Sequence, residues 1–462
     1  MNIITEGKQN SIPIQKVMLF ILMFSIALCN NLYNSFAADV EFPSSPNPVG
    51  SGARAMGMGG AFIAVADDAT AASWNPAGLT WLERPEISFV GALFHRTEDN
   101  TYGKHPEGSG IQTVSDSNIN YFSVAYPFEH WGRKMIVSIS HQHLYDFSRE
   151  WDFFIEGENE VESWRTDYDH DLEGSLSAVG IAYCIRFNPQ FSFGCTLNIW
   201  DDGASQNEWE NRYASANVKT AGDGSYIHTS DSYSLDRYSF SGLNANFGLL
   251  WKVNWRLSIG AVLKLPFKAD LRHEHASYSV SQYSDSSEPT VEPLFYAADE
   301  TMDMPMSCGI GFAYRFSDVA SASLDIYRTE WDDFILTNSN GKQESPITRQ
   351  SPADSDVDPT HQIRMGAEYL FISPKSNYLI PVRGGIFYDP APAEGNPDDF
   401  FGFSIGSGIA YINRKKDKPL FSFDIAYQCR FGNNVGASFL KGWGFSQDVR
   451  EHTVYSSVII YF

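Results

Sequence analysis

The sequence predicts an all-β protein: a transmembrane antiparallel β-barrel of about fourteen strands, its lumen plugged by an N-terminal segment. Three observations predict it. The chain ends on an apolar, β-branched and aromatic run, Thr453-Val454-Tyr455-Ser456-Ser457-Val458-Ile459-Ile460-Tyr461-Phe462. Fourteen segments alternate bulky apolar residues with small or polar ones, the period-2 signature of a strand with two different faces. The connections between them alternate in length, short then long. A backbone in lipid must satisfy its own polar groups, so only helices and closed barrels span a membrane. Beyond the N-terminus no stretch reaches the ~18 consecutive apolar residues of a spanning helix, which leaves the barrel.

The N-terminus carries Lys8 and Lys16, then the apolar run from Val17 to Leu28, then small residues at Ser35, Ala37 and Ala38. This is the layout of a secretory signal peptide, residues 1–38, with cleavage near Ala37 or Ala38. Cys29 follows Leu28, where a lipid-attachment site wants a small residue, so no lipid anchor is expected. Four cysteines follow, Cys184, Cys195, Cys308 and Cys429, with no C-x-x-C pair to suggest a zinc or redox site. The formal net charge of −23 excludes nucleic acid as a partner, because phosphate neutralisation needs a basic surface. The acidic segment 149–170 and the basic run 413–418 read as solvated loops at opposite ends of one barrel.

The strand segments fall at 85–96, 118–127, 134–147, 174–187, 191–201, 238–251, 255–267, 304–316, 319–328, 361–372, 378–389, 400–412, 420–430 and 453–462. In one of them Phe421, Phe423, Ile425 and Tyr427 alternate with Ser422, Asp424, Ala426, Gln428 and Arg430. Many runs reach about ten residues, enough for a tilted strand to cross a bilayer. Long connections fall at 97–117, 148–173, 202–237, 268–303, 329–360 and 431–452, with a shorter one at 390–399. Short turns at one end and long loops at the other are the pattern of a bacterial outer-membrane barrel. The barrel is expected over 85–462. In its last strand Val454, Val458, Ile460 and Phe462 face lipid, with Tyr455 and Tyr461 on the other side. The terminal Phe fits the signal read by barrel-assembly machinery during insertion.

Residues 39–84 do not read as barrel strands. They contain Gly57-Met58-Gly59-Gly60-Ala61, then Asp67-Asp68-Ala69, then Asn75-Pro76-Ala77-Gly78. Dense glycine permits positive φ and close backbone approach. Asp67 or Asp68 can cap a short helix over 69–74 that Asn75-Pro76 ends. A fourteen-strand barrel has a lumen too wide for its own side chains to fill, and a compact small-residue element suits that space. No strand-to-helix GxGxxG and no GK[ST] accompanies these glycines, so they are not a nucleotide loop.

In this order, Gly-x-Gly-Gly-Ala, Asp-Asp-Ala and Asn-Pro-Ala-Gly resemble the N-terminal hatch of the FadL family of outer-membrane transporters for fatty acids and other hydrophobic compounds. Related PorV-type barrels look similar. The motifs cover about 30 residues, and the strand layout extends the likeness over the mature chain. The resemblance implies a Gram-negative outer-membrane protein, a monomer without cofactor. It would catch long-chain fatty acids or other hydrophobic molecules on extracellular loops, hold them in a lumen pocket and release them by hatch movement, in contact with outer-membrane lipid throughout. The alternative is a PorV-like barrel that binds a protein partner in secretion or surface attachment.

Candidate residues follow. Gly57, Gly59, Gly60, Asp67, Asp68, Asn75, Pro76 and Ala77 shape the hatch and its gating. Leu294, Phe295, Tyr296 and Met302 lie in the most apolar loop stretch, the counterpart of the family's outer groove, against the plainer reading of a packed lid. Arg364, Glu368, Arg383, Asp424 and Arg430 face inward from neighbouring strands, where lumen charges pair; one of the arginines is the alternative partner for a substrate carboxylate. His141-x-His143 places two rings on one strand face, but without a third ligand no metal is assigned. Ser and His residues are present, yet nothing marks a nucleophile elbow or spaced triad, so no enzyme is expected.

Overall fold

The structure, a computed structural model, describes residues 47–462 apart from 49, 286–287, 373–376, 414–417 and 438–440. The signal peptide, the first residues of the N-terminal segment and most of the basic run at 413–418 lie outside the described residues.

Fourteen antiparallel strands form the wall. They are β1 (Glu86–Tyr102), β2 (Gly110–His130), β3 (Arg133–Asp146), β4 (Glu162–Asn188), β5 (Phe191–Trp200), β6 (Tyr226–Lys252) and β7 (Leu257–Lys264). They continue as β8 (Ser307–Arg315), β9 (Ala320–Thr329), β10 (Thr360–Ile372), β11 (Tyr378–Tyr388), β12 (Phe400–Asn413), β13 (Lys418–Val435) and β14 (Phe445–Tyr461). Each pairs with its neighbour in sequence. β14 closes the barrel on β1, from Glu86↔Tyr461 to Tyr102↔Phe445. Closure leaves no unpaired edge, which a wall in lipid requires.

The two faces explain the alternation. On β13, Phe421, Phe423 and Ile425 point outward and are 40–46% exposed, while Asp424 and Ala426 point inward and are buried. On β14, Val458 and Ile460 are exposed, as is Phe462 just beyond it, and Tyr455 and Ile459 are buried. Trp131, Trp255, Phe187, Phe316 and Phe371 are exposed near the short turns, at the level of an interfacial aromatic girdle.

The structure departs from the expected loops. Above the wall the sheet continues as a second tier. Arg149–Glu158 pairs with the upper part of β4. β5 ends at Trp200, and Asn207–Ala221 takes its place between β4 and β6. β7 ends at Lys264, and the hairpin Phe267–Tyr283 with Thr290–Met304 pairs onto β6. β4 and β6 therefore run 27 residues each, about 90 Å at a ~3.3 Å rise, against the ~10 residues a crossing needs. His141 and His143 do not share a face as expected. The register slips between His143 and Tyr145. His141 stays opposite Phe122 and Val179, and His143 is buried against a lumenal cavity.

Candidate functional site

The lumen holds a compact segment of the chain. α1 (Ala53–Gly57) leads to a turn at Gly59-Gly60, then α2 (Ala71–Trp74) and a 3₁₀ helix, Pro76–Trp81. Gly59 and Gly60 have φ of 68° and 73°, the left-handed region that L side chains rarely adopt. Neither Asp67 nor Asp68 caps the second helix: Thr70 is its N-cap without a side-chain bond, Asp68 Oδ1 accepts from the Thr70 N–H at 2.9 Å just before it, and Asn75-Pro76 ends the helix as expected.

This segment touches the wall where the wall carries glycine. A Cβ on Gly194 or Gly248 would overlap Asn75, Pro76 and Ala77. One on Gly260 or Gly311 would meet Ile63, one on Gly366 or Gly385 would meet Met58 and Gly59, and one on Gly406 would approach Gly57. The small inward residues are thus a track on which backbone lies against backbone. Polar groups fix the register. Asn75 donates to the carbonyls of Ile63 (2.8 Å) and of Leu249 on β6 (3.0 Å), while its Oδ1 accepts from the Ala77 N–H. Ser404 accepts from the Gly59 N–H, and Thr196 donates to the Ala72 carbonyl, both at 2.8 Å. Asp325, buried on β9, accepts the N–H groups of both Phe62 and Ile63.

The inward charges form two groups. In the first, Arg383 bridges Glu368 at 2.7 Å and Asp424 at 2.5 Å, and Glu368 also takes Arg54 of the lumenal segment at 3.2 Å. Arg54 in turn pairs with Asp67 and approaches Asp68. These groups line a cavity of about 410 Å³ that also reaches Trp81, Pro419 and Tyr461, near the short turns. In the second group Arg364 pairs with Asp389 at 2.9 Å, Arg430 with Glu451 at 3.0 Å, and Arg96 with Glu451 at 2.7 Å. All five charges read from the sequence are therefore paired, split between two networks. Arg54, Asp389, Glu451 and Asp325 were missed: Arg54 and Asp325 meet Glu368 and the Phe62-Ile63 backbone from elements far away in sequence, whereas Asp389 and Glu451 pair with arginines on adjacent strands.

Beyond the second group lies a chain of small cavities on the long-loop side of the segment. The first, about 100 Å³, is lined by Phe94, Phe387, Met56 and Tyr455 together with the paired arginines. The second and third, about 50 and 60 Å³, share Lys264, Ser307 and Thr329 and lead to Trp200, Phe267 and Met304. There the apolar cluster of the mouth begins, with Trp200 packed against Phe240 at 5.7 Å and Phe267 at 5.9 Å. Among the described residues no carboxylate lies within ion-pair distance of Lys264, and its charged neighbour is Arg364. Nothing in the local sequence singles Lys264 out; the end of β7 does.

The four capture-loop residues separate. They lie on a strand of the second tier, not in an irregular loop. Leu294, Phe295 and Tyr296 are 55%, 72% and 42% exposed, whereas Met302 is buried in the mouth cluster.

The profile of the outer membrane protein transport protein family (OMPP1/FadL/TodX) matches residues 47–400. The chain belongs to this family. It is therefore an outer-membrane β-barrel of a transport family. Solved structures agree on the fold. A FadL homologue from Pseudomonas aeruginosa is 16% identical over 92% of this chain and 99% of its own, with a TM-score of 0.55. The toluene transporter TodX from Pseudomonas putida is 12% identical over 93% and 100%, with a TM-score of 0.53. The toluene transporter TbuX from Ralstonia pickettii is 14% identical over 89% and 98%, with a TM-score of 0.51. No curated protein matches by sequence.

Proposed function

We propose that this protein moves hydrophobic molecules with an acidic head, of the long-chain fatty acid type, from the long-loop side into the lumen and past the lumenal segment, which serves as a hatch. The observation that carries the reading is Lys264, a lysine with no carboxylate partner among the described residues, between the apolar mouth and the lumenal cavities. The arginines are spoken for by Asp389 and Glu451, so a carboxylate finds its counter-charge at Lys264. The tail gains from Trp200, Phe240 and Phe267, each Å² of apolar surface buried being worth about 25 cal/mol.

Movement of the segment follows from volume. The cavities on its outer side measure about 100, 50 and 60 Å³, and roughly 150 Å³ is needed for a single benzene. A ligand therefore displaces protein to pass. The Asn75-Pro76-Ala77 turn lies on β5 and β6, beneath the third cavity, and is the place where displacement opens a path. Membership in a transport family favours this reading over the docking of a protein partner.

The test is uptake by a Gram-negative host that lacks its own fatty-acid transporter. Cells expressing the protein should take up a C16 carboxylate above the empty-vector rate. Lys264→Met should reduce that several-fold, Lys264→Arg should restore it, and uptake of toluene should be unchanged by either. Equal carboxylate uptake by the Met variant would remove the role of Lys264. Uptake no faster than the empty vector for both compounds would remove transport.

A further inference from the structure

The second tier brings Asp236 together with His273 and His275, 37 and 39 residues further along the chain. Asp236 on β6 is directly opposite His275, which is opposite Tyr296, and in the next row Tyr238, His273 and Ala298 face one another. Successive residues of a strand alternate faces, so His273 and His275 share one. It is the face that carries Phe240, Leu271 and Met302, the apolar cluster of the mouth.

The near nitrogens of the two rings converge. His273 Nε2 is 2.9 Å and His275 Nδ1 is 2.7 Å from the same oxygen, Asp236 Oδ1. The far nitrogens are held as well. His273 Nδ1 lies 3.4 Å from Glu300 Oε1, and His275 Nε2 lies 3.0 Å from Ser277 Oγ. The ring planes are set by stacking, His273 on Tyr238 at 4.2 Å and His275 on Tyr296 at 4.8 Å. Metal-binding histidines are usually oriented in this way, by a carboxylate or another polar group on the nitrogen that does not bind the metal.

We infer that Asp236, His273 and His275 form a binding site for a divalent transition-metal ion of the zinc type on the inner rim of the barrel mouth. The three ligand atoms lie within 4.8 Å of one another. Bonds of about 2.0–2.2 Å in a tetrahedron put ligand atoms roughly 3.3 Å apart, so the side chains separate by about half an ångström to admit the ion. Two imidazoles and one carboxylate select zinc, nickel or copper over calcium or magnesium, which prefer all-oxygen shells. The fourth position faces the open side of the strand row and takes water. The ion would tie β6 to the hairpin Phe267–Tyr283, whose second strand supplies Glu300 and Tyr296. The site is independent of what the lumen carries. It escaped the sequence reading because Asp236 and the histidines meet only through strand pairing.

The experiment uses full-length mature protein without a histidine tag, stripped with EDTA in detergent and titrated with zinc chloride. We expect one zinc per chain at micromolar or tighter affinity, a rise in the thermal unfolding temperature, and d–d absorption of tetrahedral type when cobalt replaces zinc. His275→Ala and Asp236→Asn should each weaken binding at least tenfold. Both positions are part-exposed, and retention of heat-modifiable gel migration shows that the barrel is intact. Zinc uptake by the wild type equal to that of the double variant His273→Ala/His275→Ala, or no uptake at all, overturns the inference.

Discussion

The carboxylate of Asp325 accepts the backbone N–H of Ile63 at 2.7 Å, and the N–H of Phe62 donates to the same oxygen at 2.6 Å. One wall side chain thus satisfies two consecutive buried donors of the lumenal segment. Asp325→Ala leaves both without a partner, at roughly 1–3 kcal/mol each. The expected result is a loss of about 2–6 kcal/mol in denaturant unfolding, with greater ion conductance in planar bilayers as the segment loosens. Asp325→Asn keeps an acceptor and should be milder. An alanine variant with wild-type conductance and stability would show that the segment is held elsewhere.

Two adjacent glycines give a matched pair. A Cβ on Gly385 would overlap Met58 and Gly59, whereas one on Gly384 meets nothing closer than the Ser404 carbonyl at 3.8 Å. Gly385→Ala should therefore cost about 1–3 kcal/mol through overpacking, and Gly384→Ala should be close to neutral. Thermal unfolding of the two variants checks this, and similar shifts in both would contradict the docking track.

Arg383 is the hinge of the first charge network. Arg383→Ala leaves Glu368 and Asp424 buried with less compensation, which costs about 3–5 kcal/mol. The double variant Arg383→Ala/Asp424→Ala should be more stable than Arg383→Ala alone, since it removes one of the stranded charges. A double-mutant cycle measures the coupling, and strictly additive losses would exclude it.

In the second tier, burial lowers the pKa of His170, opposed by the hydrogen bond that its Nε2 donates to Asn211 Oδ1. Arg149 and Arg349 lower it further, and Asp169 raises it. Its folded pKa lies below the unfolded value of about 6.5, so the unfolded tier binds the proton more readily. The tier is then at full stability above pH 6.5 and loses stability as pH falls toward the lowered pKa. Amide hydrogen exchange in Arg149–Glu158 should be faster, after correction for intrinsic rates, at pH 5 than at pH 7.5. His170→Asn should largely remove that difference, and its persistence would assign the effect to the neighbouring carboxylates.

The wall was legible because lipid on one side and a packed lumen on the other impose strict alternation, and all fourteen segments read from the sequence coincide with wall strands. Short turns sharpened the count. The second tier was not legible, since Asn207–Ala221 is largely polar on both faces and Phe267–Tyr283 shows apolar contrast only over its first residues, Phe267, Ala269 and Leu271. Arg364, Glu368, Arg383, Asp424 and Arg430 could be read as inward charges from parity alone. Their partners were not read: Asp389, just past the end of β11, and Glu451 on β14 sit beside the strands of Arg364 and Arg430, and only the contact of Glu451 with Arg96 waits for the barrel to close. Asp325 was not singled out at all. Its role depends on two peptide groups more than 260 residues earlier.

The glycine track also bears on how the molecule is built. The lumenal segment is synthesised before any of the strands that cradle it, yet its sockets lie on β5, β6, β7, β8, β10, β11 and β12. A finished cylinder is a poor entry for so closely fitted a piece, since the three cavities on its outer side described above measure about 100, 50 and 60 Å³. The barrel must therefore be wrapped around the segment, each new strand gaining a lumenal contact as it joins. The final act is the pairing of β14 with β1. A chain whose segment is displaced would reach that step with an unsupported interior, so errors in the lumenal segment should surface as failures of the last ten residues to close.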